Sequence, residues 1–239
     1  MAGHSKWANT KHRKERADKK KGKIFSRIMK EIISSVKQGG SDPKTNSKLR
    51  VAIQKAKEVN LPNENIERNI KKASNTDQQD YNELLYELYG FGGVGILVDV
   101  MTDNKNRTSG DIHIAINKCG GTIVPPGSVS YNFERKGIFR IAKSRTNEDD
   151  LFTLATEAGA EDFSSDEDHY VIVTSVEAFI QVKEALEKAN LSYEEAGLEY
   201  IPKVVVEVND ELADQNIALI EWLENLDDVD AVFHNMKIT

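Results

Sequence analysis

Trp7 is the only apolar side chain larger than alanine between residues 2 and 23, and it sits in dense positive charge: eleven of the first thirty residues are Lys or Arg and two are acidic. The chemistry open to such a stretch is electrostatic. Lysines and arginines neutralise phosphates and release the counterions condensed on them, and an indole can stack on an exposed base. The candidates are Lys6, Trp7, Lys11, His12, Arg13, Lys14, Arg16, Lys19, Lys20, Lys21, Lys23 and Arg27. Other uses of a basic N-terminus fit less well. A secretory signal needs an apolar core after its charges, and here more charge follows. A mitochondrial presequence is poor in acids, whereas Glu15 and Asp18 interrupt this one. A lipid-surface helix needs an apolar face, and Trp7 alone does not make one. A solvated basic tail is the bland alternative; nucleic-acid binding is the reading favoured.

No other chemistry is indicated. Gly90, Gly92 and Gly95 match the spacing GxGxxG, but ILVDVM follows, which is strand-like. A dinucleotide loop needs a helix there, so the glycines read as a hairpin turn. The single cysteine, Cys119, has no neighbouring base and reads as a small buried residue at a helix end. His4 and His12 merely add charge to the tail, and SSDEDH at 164–169 reads as a solvated loop. Phosphate-loop, zincin and nucleophile-elbow motifs are missing, so neither an enzyme nor a cofactor or metal is expected. No apolar run reaches the ~18 residues of a membrane helix, and no membrane partner is expected.

The elements that must carry the basic residues follow from charge and periodicity. Residues 1–78 hold 20 basic and 8 acidic residues, a charge of +12, while the remainder carries −19 of the overall −7. The split points to a polyanion partner for the first part and places a boundary near ASNTDQQD. After a basic arm at 1–22, Ile24, Phe25, Ile28, Met29, Ile32, Ile33 and Val36 make one helical face, closed by Gly39-Gly40. Asp42-Pro43 reads as the start of a second helix and Pro62-Asn63 as that of a third. Residues 23–76 are therefore expected to form a three-helix bundle. Its outer face would display Lys48, Arg50, Arg68 and Lys72, with Lys55, Lys57 and Lys71 nearby. Helices two and three join through NLPNE, a turn somewhat like that of a helix-turn-helix, with Glu67, Arg68, Asn69 and Lys72 available to a groove.

The acidic part alternates strands and helices, and the fold class expected is α+β. Residues 137–201 give the order βαββαβ, a complete ferredoxin-like unit. Two half-units flank it: strand 94–101, helix 105–118 and strand 121–124 before, and KVVVEV, helix 211–225 and DAVFHNM after. Joined, they make a second ferredoxin-like domain, 81–134 with 203–239, into which the first is inserted.

MAGHSKWANTKHRK, GKIFSRIMKEI, LRVAIQKAK, NENIERNIKKA, ELYGFGGVGILVDVMTDNKNRT, GSVSYNFERKG and the terminal DDVDAVFHNM resemble the YebC/PmpR family, whose mitochondrial relative is the translational activator of cytochrome c oxidase. The resemblance runs nearly end to end. It implies a three-domain cytoplasmic protein with a helical N-terminal domain and two α/β domains. It also implies one of two activities: a DNA-binding transcriptional regulator, or a ribosome-associated factor that binds ribosomal RNA and relieves stalling at proline-rich stretches. The family's basic motif falls on Lys6, Trp7, Lys11, His12, Arg13 and Lys14. Its interdomain or partner-facing turn falls on Asp103, Asn104, Lys105, Asn106, Arg107 and Thr108. The Pro125-Pro126 turn departs from many members. The family motif starts at Met1, so no targeting extension is expected, and a bacterial source is expected with it; separately, a monomer is expected. The residues themselves lean towards RNA, because a mobile basic arm with one aromatic suits looped RNA; the family's regulatory label leans towards DNA.

Overall fold

A computed structural model describes residues 13–74 and 80–238, with side chains from residue 22 onward. The described chain forms two compact units, one of residues 130–205 and the other of the segments on either side. In the larger unit, helix α1 (Arg13–Gly39), α2 (Ser47–Glu58) and α3 (Asn63–Ala73) come first. Strands β1 (Asn82–Tyr89) and β2 (Gly95–Thr102), helix α4 (Lys105–Cys119) and β3 (Thr122–Val124) follow. The smaller unit supplies β4 (Phe133–Ala142), α5 (Glu148–Glu157), β5 (Ala160–Ser165), β6 (His169–Thr174), α6 (Phe179–Lys188) and β7 (Glu195–Pro202). The chain then returns to the larger unit with β8 (Val206–Val208), α7 (Asp210–Glu224), β9 (Val229–His234) and β10 (Met236–Ile238).

Residues 13–22, expected as a flexible arm, are helical from Arg13 and continuous with the amphipathic helix. The reason is local: Lys, Arg, Glu and Ala are all good helix formers, and the stretch has no proline. Ile28, Ile32, Ile33 and Val36 bury against Leu49, Ala52, Ala56 and Ile66 to make the bundle core. Ile24, expected on that face, stays 40 % exposed. Gly40, at φ +84°, ends α1 in a conformation that favours glycine. The cap of α2 is Asn46 rather than Asp42: the Asn46 carboxamide oxygen accepts from Leu49 N, and its nitrogen donates to Ser35 O and Gly40 O. One buried side chain thus satisfies the end of α1 and the start of α2, which an aspartate could not do because it has no donor. Asp42 instead shapes the turn before it. A Schellman motif closes α2, with Leu61 N donating to Ala56 O, Asn60 N donating to Lys57 O, and Asn60 at φ 58°.

The smaller unit is ferredoxin-like, with sheet order β5-β6-β4-β7 and helices α5 and α6 packed on one face around Phe139, Ile141, Leu151, Ile172 and Leu186. Its strands begin at Phe133 and end at Pro202, a few residues outside the expected 137–201. The larger unit's sheet has the order β3-β1-β2-β9, with α4 and α7 covering the core face. Here one expectation is corrected. KVVVEV does not enter this sheet; only Val206–Val208 is strand, and it pairs in parallel with β10 in a separate two-stranded sheet. The place is taken by β1, which pairs antiparallel with β2 from Asn82↔Thr102 to Tyr89↔Gly95. A hairpin closed by the five-residue connection GFGGV pairs eight residues at little loop-closure cost, so it prevails over a short strand more than a hundred residues away. The turn needs its glycines: Gly92 has φ 67° and Gly93 φ 80°.

Leu49 is fully buried where α2 meets α1. Leu49→Ala should lower the unfolding free energy by about 2–5 kcal/mol, read by denaturant titration; a loss under 1 kcal/mol would mean that the bundle core collapses onto the site.

Candidate nucleic-acid interface

The basic residues divide by what they touch. Lys6, Trp7, Lys11 and His12 lie outside the described residues. Arg13, Lys14, Arg16, Lys19, Lys20 and Lys21 lie on the helical backbone of α1, and their side chains are outside those described. Lys48, Arg50, Arg68 and Lys72 are exposed on α2 and α3, as are Lys55, Lys57 and Lys71. The partners of three of these are uncharged. Lys48 Nζ donates to Gln38 Oε1 at 2.8 Å, Arg68 to Asn65 Oδ1 at 2.9 Å, and Arg50 to Pro43 O at 3.5 Å. Their positive charge is left uncompensated by those contacts. Lys55 differs, being paired with Glu31 at 2.8 Å. Asn69, considered for base contacts, turns its carboxamide back to Asn65 O.

Lys23 and Arg27, also candidates, are turned by α1 onto the sheet of its own unit. Arg27 NH1 lies 2.6 Å from Asp99 Oδ2 and 3.4 Å from Asp230 Oδ2. Lys23 Nζ donates to Leu226 O at 3.2 Å and to Val229 O. Lys30, 8 % exposed, donates to Met101 O at 2.8 Å and Asp227 O at 3.3 Å and stands 3.9 Å from Asp230 Oδ1. Three cations, each about one turn from the next, hold the helix on the ends of β2 and β9. Burial pushes Lys23 down, and it is the largest pull on Arg27 as well, but Asp99, Asp230 and Glu31 together outweigh it there and the guanidinium ends above its ordinary value. Burial dominates at Asp230: its carboxyl rises from 3.8 to about 6 in spite of Arg27 and Lys30. Its Oδ2 is buried with no hydrogen bond, the guanidinium being in ion-pair range but out of line.

The turn TDNKNRT is structural within its unit. Asn104 caps α4, its Oδ1 accepting from Arg107 N at 3.1 Å. Asp228, just before β9, accepts from Thr108 Oγ1 at 2.7 Å, Thr102 Oγ1 at 3.0 Å and Arg107 NH2 at 2.7 Å. Arg107 also reaches Asp103 at 2.8 Å. Burial alone would raise the Asp228 carboxyl, but these donors reverse the effect and hold it below its ordinary value. Lys105 and Asn106 are exposed on the first turn of α4. Sequence reading missed Asp228 and Asp230 as the partners of these two sets. The only available signal was DDVD itself, four residues carrying three acids at a strand start.

Residues 5–76 match the model of the TACO1/YebC protein N-terminal domain, and residues 81–236 match that of the TACO1/YebC second and third domain. A protein of Protochlamydia amoebophila named a probable transcriptional regulatory protein is 62 % identical, with 100 % of this chain and 97 % of that protein covered. A protein of Chlamydia muridarum with the same name is 58 % identical over 99 % of this chain and 100 % of its own length. The crystal structure of a conserved hypothetical protein from Aquifex aeolicus superposes with a TM-score of 0.81 at 40 % identity, covering 98 % of both chains.

Asp230 binds a proton in the native state where the unfolded chain is ionised, so between pH 3.8 and about 6 this group makes the fold less stable as pH rises. Asp228 acts oppositely: its stabilisation is complete above 3.8 and is lost as pH falls through its lower folded value. Asp230→Asn should therefore gain roughly 1–3 kcal/mol relative to the parent as pH rises from about 4 to 7, measured by urea unfolding across that range. A parallel pair of pH profiles would show that Asp230 stays ionised in the fold.

Proposed function

The chain belongs to the TACO1/YebC family, and on that premise we propose that it is a nucleic-acid-binding regulator of gene expression, a DNA-binding transcriptional regulator that performs no catalysis of its own. The observation that carries the proposal is the uncompensated positive charge of Lys48, Arg50 and Arg68, exposed on a bundle whose first helix runs back through the basic run. Duplex DNA carries one charge per ~1.7 Å, and a helical array of lysines and arginines meets it through phosphates without reading sequence. The names of the Protochlamydia and Chlamydia relatives support the transcriptional reading. The α2–α3 turn supports it weakly, because Glu64 and Glu67 sit on the early turns of α3 and repel a phosphate backbone.

A second reading has its own observation. Trp7 among Lys6 and Lys11 suits stacking on a looped base, so the ligand in this reading is ribosomal RNA and the activity is relief of stalling at proline-rich stretches. The lone aromatic makes the two readings separable.

If about six basic residues meet phosphates, log K should fall with log salt at a slope of roughly −5 on duplex DNA and about −4 on single strands. Lys48→Ala or Lys72→Ala should each flatten the slope by about one contact without changing the melting temperature. A salt-independent affinity would sink the electrostatic basis of the proposal.

Trp7→Ala separates the two ligands. Under the RNA reading it weakens binding to looped RNA by about 5- to 150-fold while duplex binding holds, and under the DNA reading both respond alike. Crosslinking in cells then asks whether the recovered fragments are promoter DNA or ribosomal RNA.

A further inference from the structure

The α1–sheet contact uses the same chemistry as the proposed nucleic-acid contact. Besides Glu31, one turn on in its own helix at 3.6 Å, Arg27 meets two carboxylates of the sheet in the way that it would meet a phosphate, and the helix that carries it continues N-terminally into the basic run. The contact is also imperfect. Asp230 Oδ2 is buried without a hydrogen bond, and the Arg27 side chain remains 25 % exposed. A buried carboxylate left partly unsatisfied is costly, so a polyanion offering full bidentate geometry competes well for the guanidinium. Lys23, one turn earlier, is held by two main-chain carbonyls, Leu226 O and Val229 O, which carry no net charge to oppose a phosphate.

We infer that the docking of α1 on β2 and β9 is an autoinhibitory contact in which Asp99 and Asp230 stand in for phosphate at Arg27, withholding that residue from nucleic acid until the helix is displaced. The inference rests on the nucleic-acid reading above and adds its regulation. Bound polyanion and docked sheet then exclude one another at Arg27, and the affinity measured for the resting protein is that of the other basic residues alone.

The test is a cycle in the full chain at fixed pH, with a short mixed-sequence DNA duplex and an RNA hairpin as probes and salt varied over roughly 50–200 mM. Asp99→Asn with Asp230→Asn should tighten binding to the better probe by about tenfold near 0.1 M salt and steepen the slope by about one contact. Arg27→Ala introduced into the double variant should abolish the gain. Asp210→Asn with Glu211→Gln makes the same charge change on the exposed first turn of α7 and should give less than half of the gain. Melting curves verify folding, and where the double variant unfolds, Asp99→Asn alone with and without Arg27→Ala supplies the cycle. Unaltered or weaker binding by the aspartate variants, or a gain that survives Arg27→Ala, overturns the inference while leaving the proposed function standing. A parent chain that binds neither probe removes both.

Discussion

Asp228 is the point at which the larger unit is fastened. One carboxylate, on the residue before β9, takes hydrogen bonds from the end of β2 through Thr102, from the first turn of α4 through Thr108, and from the Arg107 guanidinium. Thr102 in turn accepts from Asn104 N, which sets the N-cap of α4. In the chain these donors and Asp228 lie on either side of the smaller unit. A buried carboxylate is tolerable only when it is this well supplied with donors; remove one donor and its desolvation is no longer offset.

Asp230, two residues on, is the contrasting case. It sits deeper by side-chain exposure, 5 % against 10 % for Asp228, yet it has cations near it rather than donors aligned on it. The consequence is visible in the opposite directions of their acidities: Asp228 below its ordinary value, Asp230 above it. The first builds the sheet's corner, and the second makes the seat of α1 a contact that can be given up. Lys30 seats there too, but through Met101 O and Asp227 O, main-chain partners that any sequence at those positions would offer.

Charge is therefore used twice in this chain. Lys48, Arg50, Arg68 and Lys72 on α2 and α3 are exposed, whereas the set on one face of α1 is turned to the sheet. Both are lysines and arginines in a basic half, and no periodicity in the charges alone separates them. What separates them is that Phe25, Ile28, Met29, Ile32 and Ile33 fix the rotation of α1 on the bundle, and that rotation points residues 23, 27 and 30 at the sheet.

The sequence by itself determined the fold class, because periods of 3.6 and 2 are local properties: the stripe of α1, the hairpin around Gly92 and Gly93, and the βαββαβ order of 137–201 are each written within a few dozen residues. It determined the basic character of the first 78 residues and the family likeness for the same reason, since both are read without knowing any contact. Tertiary structure alone decided what depends on distant partners. It placed β1 rather than KVVVEV beside β2, since pairing is a competition between segments and not a property of either. It gave the cap of α2 to Asn46, which serves two helices at once. It set Lys23 and Arg27 against the sheet, because a cation's partner is chosen by where the helix that carries it comes to rest.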